Sequence, residues 1–304
     1  MLNLTGKVAL VTGAGSGIGR GISLALARAG ADISCSDVVL ERAEETAAMV
    51  RALGRQANAQ AADVRDRAAL DDQVARAVAE LGGLDIAVAN AGIGRGTSVL
   101  TMSEEDYDTQ FDVNTKGVFL TVQAVGRGMV RQGRGGRIIV ISSIAAERPE
   151  PGAWAYCGSK AAVRMMARCW AQELAPFRIT VNSVGPGFID TPLASGSIGE
   201  GDIRAANERH IPLGRVGQPA DIGALCCWLA SDEAEYVTGT YNIMDGGLVD
   251  AAGWGMQTGL PSMRDSVREM LHTMSGEQVL GALDRMTAES QALVEQLRRD
   301  KGLQ

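Results

Sequence analysis

Short runs rich in Val, Ile and Ala recur along the chain at "KVALVT" (7–12), "ADISCSD" (31–37), "RQANAQAAD" (55–63), "LDIAVAN" (84–90), "RIIVIS" (137–142), "RITVNSV" (178–184) and "TYNIMD" (240–245). Most are separated by stretches of helical periodicity. Two of these, "ERAEETAAMVRALG" and "RAALDDQVARAVAELG", close on glycine, which readily ends a helix. Strands that are apolar on both faces and alternate with helices predict a parallel sheet covered on both sides, hence an α/β, doubly wound fold. Beyond Gly247 the texture changes to a glycine-rich stretch and two helical segments, about 263–274 and 276–300. A main domain over 1–250 and a helical C-terminal extension over 251–304 follow.

The chain has 304 residues, 46% hydrophobic, enough for one sizeable core, and a formal charge of −7 that argues against nucleic acid or an anionic membrane as partner. The basic patch "RQGRGGR" (131–137) reads as the solvated end of a helix. No run approaches the roughly 20 apolar residues of a membrane span, and "MLNLTGK" lacks the layout of a signal peptide. A soluble, cytoplasmic protein is expected. The five cysteines form no CxxC pair and are expected to be reduced. With only His210 and His272, neither in a nucleophile context, a Ser-His-Asp hydrolase and a histidine-rich zinc site are both disfavoured, and no metal is expected.

"VALVTGAGSGIGRGISLALARAG" places Gly13, Gly17 and Gly19 directly after the first strand and at the opening of a helix. Glycines let the backbone approach a diphosphate, and the helix N-terminus offers N–H groups and positive potential to hold it. The context is that of a Rossmann-type sheet of about seven strands. Ser16 and Ile18 complete the loop. Asp37 closes the second strand, where a carboxylate accepts from ribose hydroxyls and repels a 2′-phosphate. With no basic residue at Ser16 or Val38, NAD is preferred over NADP.

"AWAYCGSKAAV" (153–163) sets Tyr156 and Lys160 four residues apart, on one face of a predicted helix. A phenol with a pKa near 10 is a poor base at neutral pH; a nearby cation lowers it by roughly 1–3 units.

Together these residues resemble the short-chain dehydrogenase/reductase family. The likeness runs from about residue 4 to 249 and includes, in the family's order, "TGAGSGIG" (12–19), Asp63-Val64, "NAG" (90–92), Asn114 in "FDVNTKG", "ISS" (141–143), "YCGSK" (156–160) and "PGFIDT" (186–191). Ala89 stands where the family often has a second asparagine. The resemblance implies that Tyr156 is the general acid/base, that Lys160 lowers its pKa and holds the nicotinamide ribose, that Ser143 hydrogen-bonds the reacting oxygen, and that Asn114 holds a water relaying protons from Lys160. Ser142 competes with Ser143; the family's spacing to the tyrosine favours Ser143. The resemblance also assigns Asp63 and Val64 to the adenine, Asn90 to the ribose, and Ile189 and Thr191 to the nicotinamide carboxamide.

The expected function is therefore NAD-dependent interconversion of a secondary alcohol and a ketone, with alcohol oxidation favoured. The alternatives are an NADPH-dependent 3-oxoacyl thioester reductase and a non-catalytic nucleotide sensor; a sensor commonly loses the tyrosine or lysine, and this chain keeps both. Segments 93–99, 144–154 and the glycine-rich region from Phe188 to Arg215, a lid by composition, are expected to wall the substrate, with Arg95, Arg148, His210, Trp154 and Phe188 as possible contacts. The family implies a homotetramer, with helices 103–131 and 155–175 and the last strand at its interfaces. In the extension, Ser275 and Gln278 have the spacing of a capping box, and Val279, Leu283, Met286, Leu293 and Leu297 form an apolar stripe. The stripe is expected to pack on its own domain or on a neighbouring subunit, and Trp254 and Met256 are expected to anchor the extension on a neighbour or on the pocket mouth.

Overall fold

The computed structural model describes residues 2–96 and 98–251, together with Ser275 and Gln278. The chain divides into two compact units, Met1–Val249 and Asp250–Gln304. In the first, seven strands form one parallel sheet: β1 (Val8–Thr12), β2 (Asp32–Asp37), β3 (Ala57–Ala61), β4 (Ile86–Ala89), β5 (Gly136–Ile141), β6 (Ile179–Pro186) and β7 (Tyr241–Met244), in the order β3-β2-β1-β4-β5-β6-β7. The order reverses between β1 and β4. The crevice beyond the strand C-termini at that point is where open α/β sheets bind ligands.

Helices α1 (Gly17–Arg28), α2 (Leu40–Ala52), α3 (Arg67–Leu81), α4 (Glu104–Phe111), α5 (Gly117–Gln132), α6 (Trp154–Leu174), α7 (Ser195–Ile198), α8 (Gly201–His210) and α9 (Pro219–Ala230) alternate with the strands. On one face, Ile22 and Leu26 of α1, Ala47 and Val50 of α2 and Ile222 and Cys226 of α9 pack on β1, β2 and β4. On the other, Leu70 and Val74 of α3, Val118 and Val125 of α5 and Val163 and Ala167 of α6 close over Leu10, Ala87 and Ile138. Burial on both faces explains why the central strands read as unbroken apolar runs, whereas the edge strands β3 and β7 keep partly exposed positions.

One sequence expectation changes. The helix expected over 103–131 is interrupted: Ser103 caps α4 by accepting from Asp106 N–H, and Asp112–Lys116 forms one π-helical turn before α5 begins. The lid region folds into α7 and α8, whose ends are tied down by a small cluster of Ile198, Ile211, Val216 and Leu248 with Phe188 and Ile144 packed against it. In the extension, Ser275 N–H donates to Gln278 Oε1 at 2.8 Å and Gln278 N–H to Ser275 Oγ at 3.4 Å, the reciprocal pair of a capping box. The segments 263–274 and 276–300 otherwise, the stripe from Val279 to Leu297, and Trp254 and Met256 lie outside the described residues.

Thr12, 1% exposed at the end of β1, links the sheet to the loops above it: its Oγ1 accepts from Asn90 N–H at 3.1 Å and Ala91 N–H at 3.2 Å. Thr12→Val keeps the shape and removes that acceptor. It is predicted to lower unfolding stability by about 1–3 kcal/mol in denaturant titrations; an unchanged value would contradict this role.

Candidate active site

A cleft of about 510 Å³ runs along the C-terminal edge of the sheet, across the reversal of strand order. Its floor is the turn from β1 into α1. Gly13 (φ +63°) and Gly17 (φ +51°) adopt backbone conformations that side chains disfavour, and a Cβ on Gly19 would fall 2.1 Å from the carbonyl oxygen of Gly13. Helix α1 opens on this cleft with no side-chain cap from Ser16 and no acidic residue in its first turn. Its free N–H groups and positive dipole end therefore suit a diphosphate, which the glycines allow to approach. Asn90 braces the turn, donating from Nδ2 to the carbonyls of Thr12 (3.0 Å) and Gly13 (3.2 Å).

Of the residues singled out from sequence, Gly13, Ser16, Gly17, Ile18, Gly19, Asp37, Asp63, Val64, Asn90, Ser143, Tyr156, Lys160, Ile189 and Thr191 all line this cleft. Asp37 accepts from Gly15 N–H at 3.2 Å and Val39 N–H at 3.1 Å, which fixes the carboxylate at the lip. Asp63 forms a forked ion pair with Arg65, whose hydrogen bonds hold the Asp63 carboxyl below its usual range. Thr191 packs against the glycine turn: a Cβ on Gly17 would lie 3.2 Å from its Cγ2.

At the other end, α6 presents Tyr156 and Lys160 to the end of β5. The Lys160 ammonium, 3% exposed, donates to the carbonyl of Ile141 at 3.0 Å and sits 5.7 Å from the centroid of the Tyr156 ring. Burial pushes its pKa down from 10.5 to about 8. Ser142 and Ser143 part ways. Ser142 Oγ donates to the backbone carbonyl of Lys160 at 2.8 Å, while Ser143 Oγ accepts from Ala145 N–H at 3.2 Å and stands close enough to the Tyr156 phenol to lower its pKa.

One chemical expectation needs correcting. The pKa of Tyr156 is raised, not lowered: desolvation dominates, the Ser143 hydrogen bond pulls it back in part, and Glu150 and Cys157 add to the rise. Asn114 does not leave its amide free. Its Nδ2 donates to Ile93 O (2.9 Å) and Ser159 Oγ (3.1 Å), and its Oδ1 accepts from Ile93 N–H (2.8 Å), so the side chain pins the 90–93 loop to α6.

The substrate contacts proposed from sequence separate. Arg95 lines the cleft but is paired with Asp106. Arg148, His210, Trp154 and Phe188 do not line it, and no residue of 144–154 does; Trp154 stacks on Tyr107 with centroids 5.9 Å apart. Arg42 of α2 was missed: it lines the cleft beside Asp37 and Val38 with no ion pair or side-chain hydrogen bond among the described residues. Its position one helical turn beyond the strand end was the available signal. Among the described residues no group of His, Cys, Asp and Glu could hold a metal, and no helix is long and apolar enough to cross a membrane.

Comparison with known proteins identifies the family. A family model described as enoyl-(acyl carrier protein) reductase matches residues 13–249. The 3-oxoacyl-(acyl-carrier-protein) reductase of Thermotoga maritima is 40% identical over 248 residues, covering 82% of this chain and 100% of that protein. L-Rhamnose 1-dehydrogenase (NAD(P)(+)) of a Sphingomonas species is 38% identical over 246 residues, 81% of this chain and 97% of that one. A solved short-chain type dehydrogenase/reductase from Mycobacterium marinum is 40% identical with a TM-score of 0.77, over 81% of this chain and 96% of that one. The chain belongs to the short-chain dehydrogenase/reductase family, whose members are nicotinamide-dependent oxidoreductases.

The depressed pKa of Lys160 has a stability consequence. Below about pH 8 the folded protein carries the full cost of a desolvated ammonium; between about 8 and 10.5 the unfolded chain binds more protons, so this cost is relieved as pH rises. The stability difference between Lys160→Met and the unaltered protein is predicted to move by about 3 kcal/mol against the variant across that window. Parallel stability profiles in denaturant titrations from pH 7 to 10.5 would contradict it.

Proposed function

We propose that this protein interconverts a secondary alcohol and a ketone with NAD, Tyr156 serving as general acid/base at the substrate oxygen. The observation that carries this reading is the convergence of Tyr156, Lys160 and Ser143 at one end of a cleft whose other end is the glycine turn and Asp37. When bound, the dinucleotide supplies the hydride acceptor or donor. The N–H groups opening α1 hold its diphosphate, Asp37 accepts from the adenosine ribose, Asp63 and Val64 border the adenine, Asn90 adjoins the ribose, and Ile189 and Thr191 meet the carboxamide.

Ser143 donates to the substrate oxygen, and the phenolic oxygen of Tyr156 takes or returns the proton. Because burial alone disfavours the phenolate, the Lys160 cation must offset it during proton transfer. Lys160 Nζ and Asn114 Oδ1 each lie 3.3 Å from where a Cβ on Gly92 would sit. Asn114 Oδ1 keeps one lone pair there for a water that passes the proton onward from Lys160.

A second reading, NADPH-dependent reduction of a 3-oxoacyl thioester, is favoured by the Thermotoga maritima relative and by the unpaired Arg42 guanidinium beside Asp37. A nucleotide sensor without catalysis is disfavoured, since Tyr156 and Lys160 are both kept. The exposed Tyr107, Phe119 and Met165 on α4, α5 and α6, and Ile243 on the edge strand β7, support assembly as a homotetramer. Five free cysteines support a reducing, cytoplasmic setting.

A panel of cyclohexanol, a hydroxysteroid, an aldose and a 3-oxoacyl thioester, assayed with NAD and NADP at the absorbance band of the reduced nicotinamide, tests the reading. Turnover of an alcohol with NAD is expected, and Tyr156→Phe should lower kcat by about 10²–10⁴-fold with unchanged NAD affinity; full activity in that variant would overturn the assignment. Asp37→Ser should move the ratio of kcat/KM values toward NADP by about tenfold or more, as the carboxylate no longer repels a 2′-phosphate. An unchanged ratio would remove Asp37 as the determinant.

A further inference from the structure

The side chain of Tyr241 crosses the sheet. It leaves the edge strand β7, passes over β6 and reaches the end of β5, where its hydroxyl donates to the backbone carbonyl of Ser143 at 2.6 Å. The crossing is possible only because β6 carries Gly185 at that point: a Cβ there would lie 2.3 Å from the Tyr241 hydroxyl oxygen and 2.6 Å from Cζ. The ring is in turn held by Arg164 of α6, whose guanidinium carbon sits 4.3 Å from the ring centroid. Arg164, one turn beyond Lys160, also pairs with Glu147 at 2.6 Å, in the short loop that follows Ser143. Sheet edge, catalytic helix and loop after β5 thus meet on one phenol.

We propose that Tyr241, seated over Gly185 and clamped by Arg164 and Glu147, is the positioning residue for Ser143. This rests on the reading that Ser143 donates to the substrate oxygen. Ser143 lies where β5 ends and the chain turns, held on its side-chain side by Ala145 N–H at 3.2 Å. That contact and the Ala146 N–H bond to the Ser143 carbonyl at 2.9 Å are local to the loop, and Ser142 N–H ties the preceding residue to Val184 of β6 at 2.8 Å; the bond from Tyr241 adds a tie from Ser143 itself to β7. With both made, the Oγ lone pair is used locally and the O–H remains for the Tyr156 phenol or the substrate oxygen. Small displacements of such a donor are costly, since a misplacement of about 1 Å can cost about a hundredfold in rate. Nothing in the reading of Tyr156 and Lys160 alone requires a tyrosine on β7 or a glycine on β6.

The test uses the full-length protein with its four tyrosines labelled with ¹³C at Cζ. The Tyr156 signal is assigned by its loss in Tyr156→Phe, and its chemical shift at neutral pH and its titration midpoint are then followed in Tyr241→Phe, Ser143→Ala and the double variant. Tyr241→Phe keeps the ring over Gly185 and beneath Arg164. The groups around the two phenols, namely Glu147, Glu150, Cys157, Lys160, Arg164 and Asp245, are unchanged in all three. Each single variant is expected to raise the Tyr156 midpoint, because the Ser143 hydrogen bond that lowers it is loosened or lost, and the double variant to raise it no further than Ser143→Ala. With whichever panel alcohol turns over, Tyr241→Phe should lower kcat by roughly tenfold while KM for NAD stays constant.

A Tyr241→Phe protein whose Tyr156 shift, midpoint and kcat match the unaltered protein, while Ser143→Ala changes all three, overturns the positioning role and leaves Ser143 in place. An additive double variant overturns it as well. Full turnover in Ser143→Ala overturns the assignment of Ser143 itself, and with it the proposal.

Discussion

Much of this structure turns on keeping one ammonium out of water. Lys160 is held by the end of β5 through the carbonyl of Ile141, beneath Tyr156 and beside the loop that follows β4. A buried cation with one carbonyl partner is costly for the fold, and its depressed pKa records that cost. The surroundings support it structurally: Ser142 fixes the backbone of Lys160, Asn114 joins Ser159 to Ile93, and Thr12 joins β1 to the loop after β4. These are short bonds between elements far apart in sequence, so the site is rigid because the sheet is.

The two ends of the cleft use different physics. At the glycine turn, binding capacity comes from backbone geometry: positive φ values, an uncapped helix start and no side chains in the way. At the other end it comes from desolvated side chains on α6 and in the turn after β5. The reversal of strand order between β1 and β4 puts both in one crevice, so a long dinucleotide can connect them.

The alternation of apolar runs and helical stretches was sufficient for the sheet, because strands buried on both faces leave unbroken apolar runs between the helical stretches. Runs written as 55–63 and 240–245 shrink to Ala57–Ala61 and Tyr241–Met244, since edge strands need less burial and their ends fray into loops. The glycine turn and the Tyr156, Lys160 pair were equally legible, their spacing being local. What escaped was non-local. The resemblance gave Asn114 a water to hold, but its bonds to Ile93 and Ser159 are contacts that no spacing reveals. The direction of the Tyr156 shift was misjudged because adjacency in sequence counts charge and not desolvation. Arg42 lines the cleft and Tyr241 bonds Ser143 only after the chain has turned, and Arg148, His210, Trp154 and Phe188 fall outside the cleft lining for the same reason.

The buried ammonium can be read directly. The chain has four lysines, Lys7, Lys116, Lys160 and Lys301, so a ¹³Cε-lysine titration followed by NMR gives a small, assignable set of curves. The account predicts that the Lys160 signal, identified by its loss in Lys160→Met, titrates near 8. A Lys160 midpoint at the ordinary 10.5 would mean that its ammonium is solvated, and the constraint on which the site is built would be absent.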